Sequence, residues 1–157
     1  MQRDIVELSL KRNIIVKAAI MLIIILFSST IVFAGYGYGN SSTFSSGNKK
    51  YVGQSYVFTN DWAYGFQRTC CKTSAASSGW LGNKARLYYS SGVLKGSSSW
   101  AYNSSKKAKG SYEINVWGFN SATGSSFYSK GYSAGWNSTT STYVTKGTSK
   151  SPNQTSE

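Results

Sequence analysis

The sequence predicts an all-β chain: a single antiparallel β-sandwich of about seven short strands behind an N-terminal signal peptide. Three observations carry that expectation. Aromatic and β-branched residues recur in short runs with a period of two, Gly, Ser and Asn punctuate the runs, and the chain past residue 34 lacks the apolar period of an amphipathic helix. Strand pattern alone leaves a small β-barrel as the alternative architecture.

Residues 1–34 have the order of an export signal. Arg3, Lys11, Arg12 and Lys17 supply a basic start, Ala18 to Phe27 is apolar, and Val32-Phe33-Ala34 fits a small-residue cleavage site with the cut after Ala34. Ser28, Ser29 and Thr30 interrupt what would otherwise approach the roughly 20 apolar residues of a spanning helix. The domain is therefore expected to be secreted. The alternative is an uncleaved N-terminal membrane anchor, with the domain again outside.

Residues 35–50 open as Gly-Tyr-Gly-Tyr-Gly-Asn-Ser-Ser, without an apolar period, and read as a flexible arm. The sandwich is assigned to residues 51–147 and a polar tail to 148–157. Within the domain, Tyr51 to Thr59 is the first strand. Asp61 to Thr69 is the second, with Trp62, Tyr64 and Phe66 on one face and Ala63, Gly65 and Gln67 on the other. Lys84 to Ser90 places Ala85, Leu87 and Tyr89 together, and Ser90-Ser91-Gly92 turns the chain into Val93 to Tyr102. Tyr112 to Phe119 alternates with both faces partly apolar, which predicts a central strand. Phe127 to Trp136 and Thr139 to Lys146, parted by Asn137-Ser138, complete the set.

Composition narrows the function. Of the 17 Lys and Arg, four precede residue 35, so 13 remain against the three acids Asp61, Glu113 and Glu157, a net charge of +10. Such a field favours anionic partners. For an exported domain these are cell-wall polymers, acidic glycans and lipid surfaces, and specific nucleic-acid recognition is not expected. Past residue 34 the chain holds nine Val, Ile and Leu against 22 aromatic residues, so rings must supply much of the packing, as core and as cross-strand pairs.

The instruments of catalysis are scarce. The chain has no histidine, so neither a Ser/His/Asp triad nor a Cys/His pair can be built. Two S-x-x-K matches, Ser46 to Lys49 and Ser104 to Lys107, stand without the S-D-N or K-T-G of penicillin-binding enzymes. Asp61 and Glu113 could serve as a glycosidase pair only if about 5 to 9 Å apart. The adjacent Cys70-Cys71 closes no loop; a vicinal disulfide, intermolecular bridges and two free thiols on opposite faces of a strand all remain open. The reading is a non-enzymatic protein with no metal and no cofactor.

Ala85-Arg86-Leu87-Tyr88, Ser91-Gly92, Ser99 to Ser105, Tyr143-Val144-Thr145 and Lys150 to Asn153 together resemble a loose group of small uncharacterised exported β-rich proteins of Gram-positive bacteria. In size, export and Tyr/Ser/Gly composition the chain is also similar to the lactococcin 972 type of secreted β-sandwich bacteriocin. Those likenesses imply a β-rich fold and, for the second, an antibacterial role.

The residues point to a secreted basic β-domain that binds anionic cell-envelope polymers or glycans. Lys106, Lys107 and Lys109 would supply charge, and Trp100, Tyr102 and Trp136 would supply stacking. An exported bacteriocin-like or membrane-active protein is the alternative.

Overall fold

The computed structural model describes residues 35–117 and 124–156. The signal segment, its cleavage site and the end of the Tyr112–Phe119 run lie outside the described residues. The described chain is all-β, with no helix among those residues.

One layer is a five-stranded antiparallel sheet. β1 (Gly35–Tyr38) and β2 (Ser42–Ser46) lie end to end along one edge of β3 (Lys49–Thr59), which pairs with β4 (Ala63–Cys71), and β4 pairs with β9 (Glu113–Trp117). The remaining strands are β5 (Leu81–Lys84), β6 (Arg86–Tyr89), β7 (Leu94–Ser97), β8 (Ala101–Tyr102), β10 (Ser126–Ser129), β11 (Tyr132–Asn137), β12 (Thr142–Gly147) and β13 (Gln154–Thr155). They form two four-stranded sheets, ordered β12-β11-β5-β8 and β13-β10-β6-β7. Both sheets repeat one chain order, and the central register runs through the break between them. Lys84 faces Tyr132, Leu87 faces Ser129, and between them the Lys130 amide donates to the Arg86 carbonyl at 3.1 Å. These eight short strands are therefore four lanes, each interrupted at one level, and they make the second layer of a sandwich.

The layers meet through small and polar residues. Gly53 backs onto Ser133 and Gly65 onto Leu87. Phe44, Tyr51, Cys71, Ala76 and Leu81 form an apolar cluster at one end, and Val57, Ala63, Leu87 and Phe127 form another at the other end. Between them lies a buried hydroxyl and amide band. Ser55 Oγ donates to Gln67 Oε1 at 2.7 Å, Gln67 Nε2 donates to Ser133 Oγ at 2.9 Å, and Thr69 Oγ1 lies 2.6 Å from Ser133 Oγ. Thr148 Oγ1 joins at 3.0 Å from Gln67 Oε1, and the Gly131 amide donates to Ser55 Oγ at 2.9 Å. Leaving one partner of a buried bond unmade costs about 1–3 kcal/mol, so the band pins the register of both layers.

Four expectations need correction. The flexible arm assigned to residues 35–50 contains β1 and β2, held to β3 because Tyr36 and Tyr38 find Phe58 and Tyr56 to pack on, with centroids 4.6 and 5.1 Å apart. The polar tail assigned to 148–157 supplies interior groups, since Thr148, Ser151 and Ser156 are small enough to be buried and hydrogen-bonded, and β13 pairs with β10. The strand expected to be central, β9, pairs with β4 alone among the described strands. Two apolar sides do not require two neighbours here, because the outer faces of this sandwich are themselves ring-lined. Two expected strands, finally, each divide at the break between the sheets, Val93–Tyr102 into β7 and β8 and Phe127–Trp136 into β10 and β11. The rings pack as expected, in the core and as cross-strand pairs on the outer faces. In β4, Ala63, Gly65 and Gln67 are buried while Tyr64 and Phe66 face outward.

Candidate functional site

The outer face of the second layer gathers three rings named from sequence. Burial of Leu81, Asn83, Ala85 and Leu87 turns Gly82, Lys84, Arg86 and Tyr88 outward. Tyr102 lies opposite Gly82 in the β5–β8 pair, and Trp136 lies opposite Tyr143 in the β11–β12 pair. Trp100 stacks on Tyr102 at 6.2 Å and 18°, Tyr102 packs on Tyr143 at 4.8 Å, and Tyr143 meets the Trp136 ring at 4.9 Å and 66°. The four rings make one continuous strip across the sheet. Gly82 is the floor that permits it: a Cβ there would come within 2.6 Å of Tyr102 Cε1. The Tyr143 hydroxyl donates to the Gly79 carbonyl, and burial, then Tyr102, raises its phenol above the usual tyrosine value. Tyr102 and Tyr143 remain 40% and 37% exposed, enough surface to stack on a flat ligand.

Cations and further rings continue along the same face. Arg86 Cζ sits 5.0 Å from the Tyr132 ring centroid, and Arg86 Nη1 donates to the Tyr88 hydroxyl at 3.4 Å. Tyr88 stacks on Tyr128 at 5.1 Å and 7°, and Lys150 Nζ lies 3.9 Å over Tyr128. Tyr88, Lys130, Gly131, Tyr132 and Gly147 line a cleft of about 240 Å³.

The sequence-derived lysines lie apart from the strip. Lys106, Lys107 and Lys109 occupy the loop after β8, where Lys107 forms a backbone bridge to Ala76. Lys107 lines a separate cavity of about 430 Å³ with Arg68, Tyr112 and Glu113, while Lys106 and Lys109 are exposed. Asn103 ties this loop down. Its Oδ1 accepts from the Leu81 amide at 2.8 Å, and its Nδ2 donates to the Ser77 and Ser105 carbonyls at 2.7 and 2.9 Å.

The two acids of a possible glycosidase pair are not brought together. Glu113 faces Arg68 at one end of β4, and Asp61 lies in the turn beyond Ala63 at the other. Five residues of strand separate Ala63 from Arg68, roughly 17 Å, well beyond the spacing of such a pair. Cys70 and Cys71 are both free, opposite Val52 and Tyr51 in the β3–β4 pair and so on opposite faces of β4. Burial pushes the Cys71 thiol up, but the hydroxyls and amides of Thr73 and Ser74 outweigh it and hold the thiol below its usual value. No group of three metal-ligating side chains occurs among the described residues.

Sequence reading missed Tyr143, Arg86, Lys130 and Lys150. A signal for Tyr143 existed: reflecting Trp136 through the turn after Asn137 lands on it. The cation cleft had none, because its parts come from three lanes. No family model, no curated protein and no solved structure matches the chain.

Proposed function

We propose that this protein binds anionic cell-envelope polymers or glycans through the outer face of its second layer. One observation carries the reading: Trp100, Tyr102 and Trp136 join through Tyr143 into a single strip on a face that also presents Lys84, Arg86, Lys130 and Lys150. Ring faces stack on the apolar faces of sugars, and ammonium and guanidinium groups take the anionic substituents. Asp61 and Glu113 both belong to the first layer, so the second presents its cations without a described carboxylate beside them. Lys106, Lys107 and Lys109 add to the long-range field from the loop after β8.

Sedimentation of the purified protein with Gram-positive cell walls across a salt series tests this. Binding that fades steeply with salt is expected, because exposed charges are screened within about 8 Å at physiological ionic strength. Absence of binding at low salt contradicts it. Release of dye from anionic vesicles at the same concentrations would replace it with the membrane-active, bacteriocin-like reading.

A further inference from the structure

We propose that the cleft between Tyr88 and Tyr132, lined by Lys130 and adjoined by Arg86, seats an oxyanion carried by the same sugar polymer that stacks on the Trp100–Trp136 strip. This rests on the function proposed above and gives that site a second subsite with its own chemistry.

A fixed cation stands against two residues of the cleft wall. Arg86 is held by the Tyr132 ring at 5.0 Å and by the Tyr88 hydroxyl at 3.4 Å, and Tyr88 is braced by its stack on Tyr128. Arg86 Nε is fully buried with no hydrogen-bond partner among the described residues, so a ligand would be met by the Nη groups. A carboxylate would be the ordinary partner of such a group, yet the described carboxylates lie on the other layer. Lys130 lines the cleft, and Lys150 lies over the adjoining ring. A volume of about 240 Å³ suits a phosphate or carboxylate substituent and not a whole oligosaccharide.

Spacing gives the ligand a minimum length. Trp136 and Tyr132 are four residues apart on β11, about 13 Å, with both side chains outward. A monosaccharide reaches one subsite; a charged polymer engages both and gains from effective concentration. Phosphodiester wall polymers and uronate polysaccharides share this chemistry, sugar with oxyanion, and the choice between them is experimental.

The test uses intact Gram-positive walls, the same walls stripped of phosphodiester polymer, and polygalacturonate, each with wild type, Arg86→Gln/Lys130→Gln and a charge-matched control, Lys50→Gln/Lys72→Gln, on the first layer. At low salt the cleft variant is expected to bind at least tenfold more weakly than the control and to show a flatter salt dependence. Binding lost on stripping assigns the oxyanion to phosphate; equal binding to polygalacturonate assigns it to carboxylate as well. If Arg86→Gln does not fold, Lys130→Gln alone carries the comparison. Wild-type binding with the cleft variant matching the control overturns the subsite and leaves the ring strip standing. Failure of the wild type to bind any of the three polymers overturns the function itself.

Discussion

Both outer faces of this sandwich are lined with rings, but they keep different company. On the first layer Tyr36, Tyr38, Tyr56, Phe58, Tyr64 and Phe66 pack on one another, with Tyr56 and Phe66 coplanar within 3° at 4.6 Å. Tyr56 is only 6% exposed, although it faces outward, because its neighbours cover it. On the second layer the rings alternate with Arg and Lys and lie open beside a cleft. The second-layer strip is also ring on ring, and Tyr36 and Tyr38 on the first layer are 56% and 53% exposed, so what carries the proposal for the second face is the set of cations beside its rings, Arg86, Lys130 and Lys150. Residue type does not separate the two; neighbours do.

The largest effect that would sharpen the contrast is on stability. Tyr56→Ala should destabilise the fold by about 3 kcal/mol, as a buried aromatic truncation does, and leave polymer binding by the folded fraction unchanged. Chemical denaturation alongside wall sedimentation checks both halves. Next, Trp136→Ala with Tyr143→Ala should weaken binding about tenfold, roughly 1.4 kcal/mol, while walls still bind wild type at the same salt. Loss of stability without loss of binding in that variant would place the second face with the first.

A smaller effect is alkaline. Burial, then the Cys71 side chain, pushes the Tyr51 phenol from 10.0 up to about 12, and burial, then the Glu113 carboxylate beside it, also raises Tyr56. A phenol whose folded value lies above its unfolded one contributes stability that is whole below pH 10 and is lost as pH rises toward 12. The midpoint of denaturation should therefore fall over that window, and Tyr51→Phe should flatten the fall. The smallest expected effect is redox. Cys70 and Cys71, 4% and 1% exposed, should resist a small aromatic disulfide reagent until the chain unfolds, and a thiol reductant should leave the melting temperature in place.

Much of the fold was legible in the sequence. Each of the seven expected runs carries strand, though Val93–Tyr102 and Phe127–Trp136 each divide into two strands in different sheets, and the turn at Ser90-Ser91-Gly92 forms with Gly92 at φ 94°. What escaped was residues 35–46 and the terminal segment, for one reason. Gly, Ser and Thr usually signal loops, but in this sandwich they are the interior, so segments made of them are built in as paired strands or buried hydroxyls. The site was legible as to its rings and not its charge. Trp100 and Tyr102 are two residues apart in sequence, whereas Arg86, Lys130 and Lys150 meet only through lane order.

Lysine acetylation mapped by mass spectrometry, with and without anionic wall polymer, tests the central claim most directly. The account predicts that polymer protects Lys84, Lys130 and Lys150 while Lys50 and Lys72 react as before. Protection confined to Lys106 and Lys109, or spread evenly over all lysines, would contradict it and move recognition off the second layer.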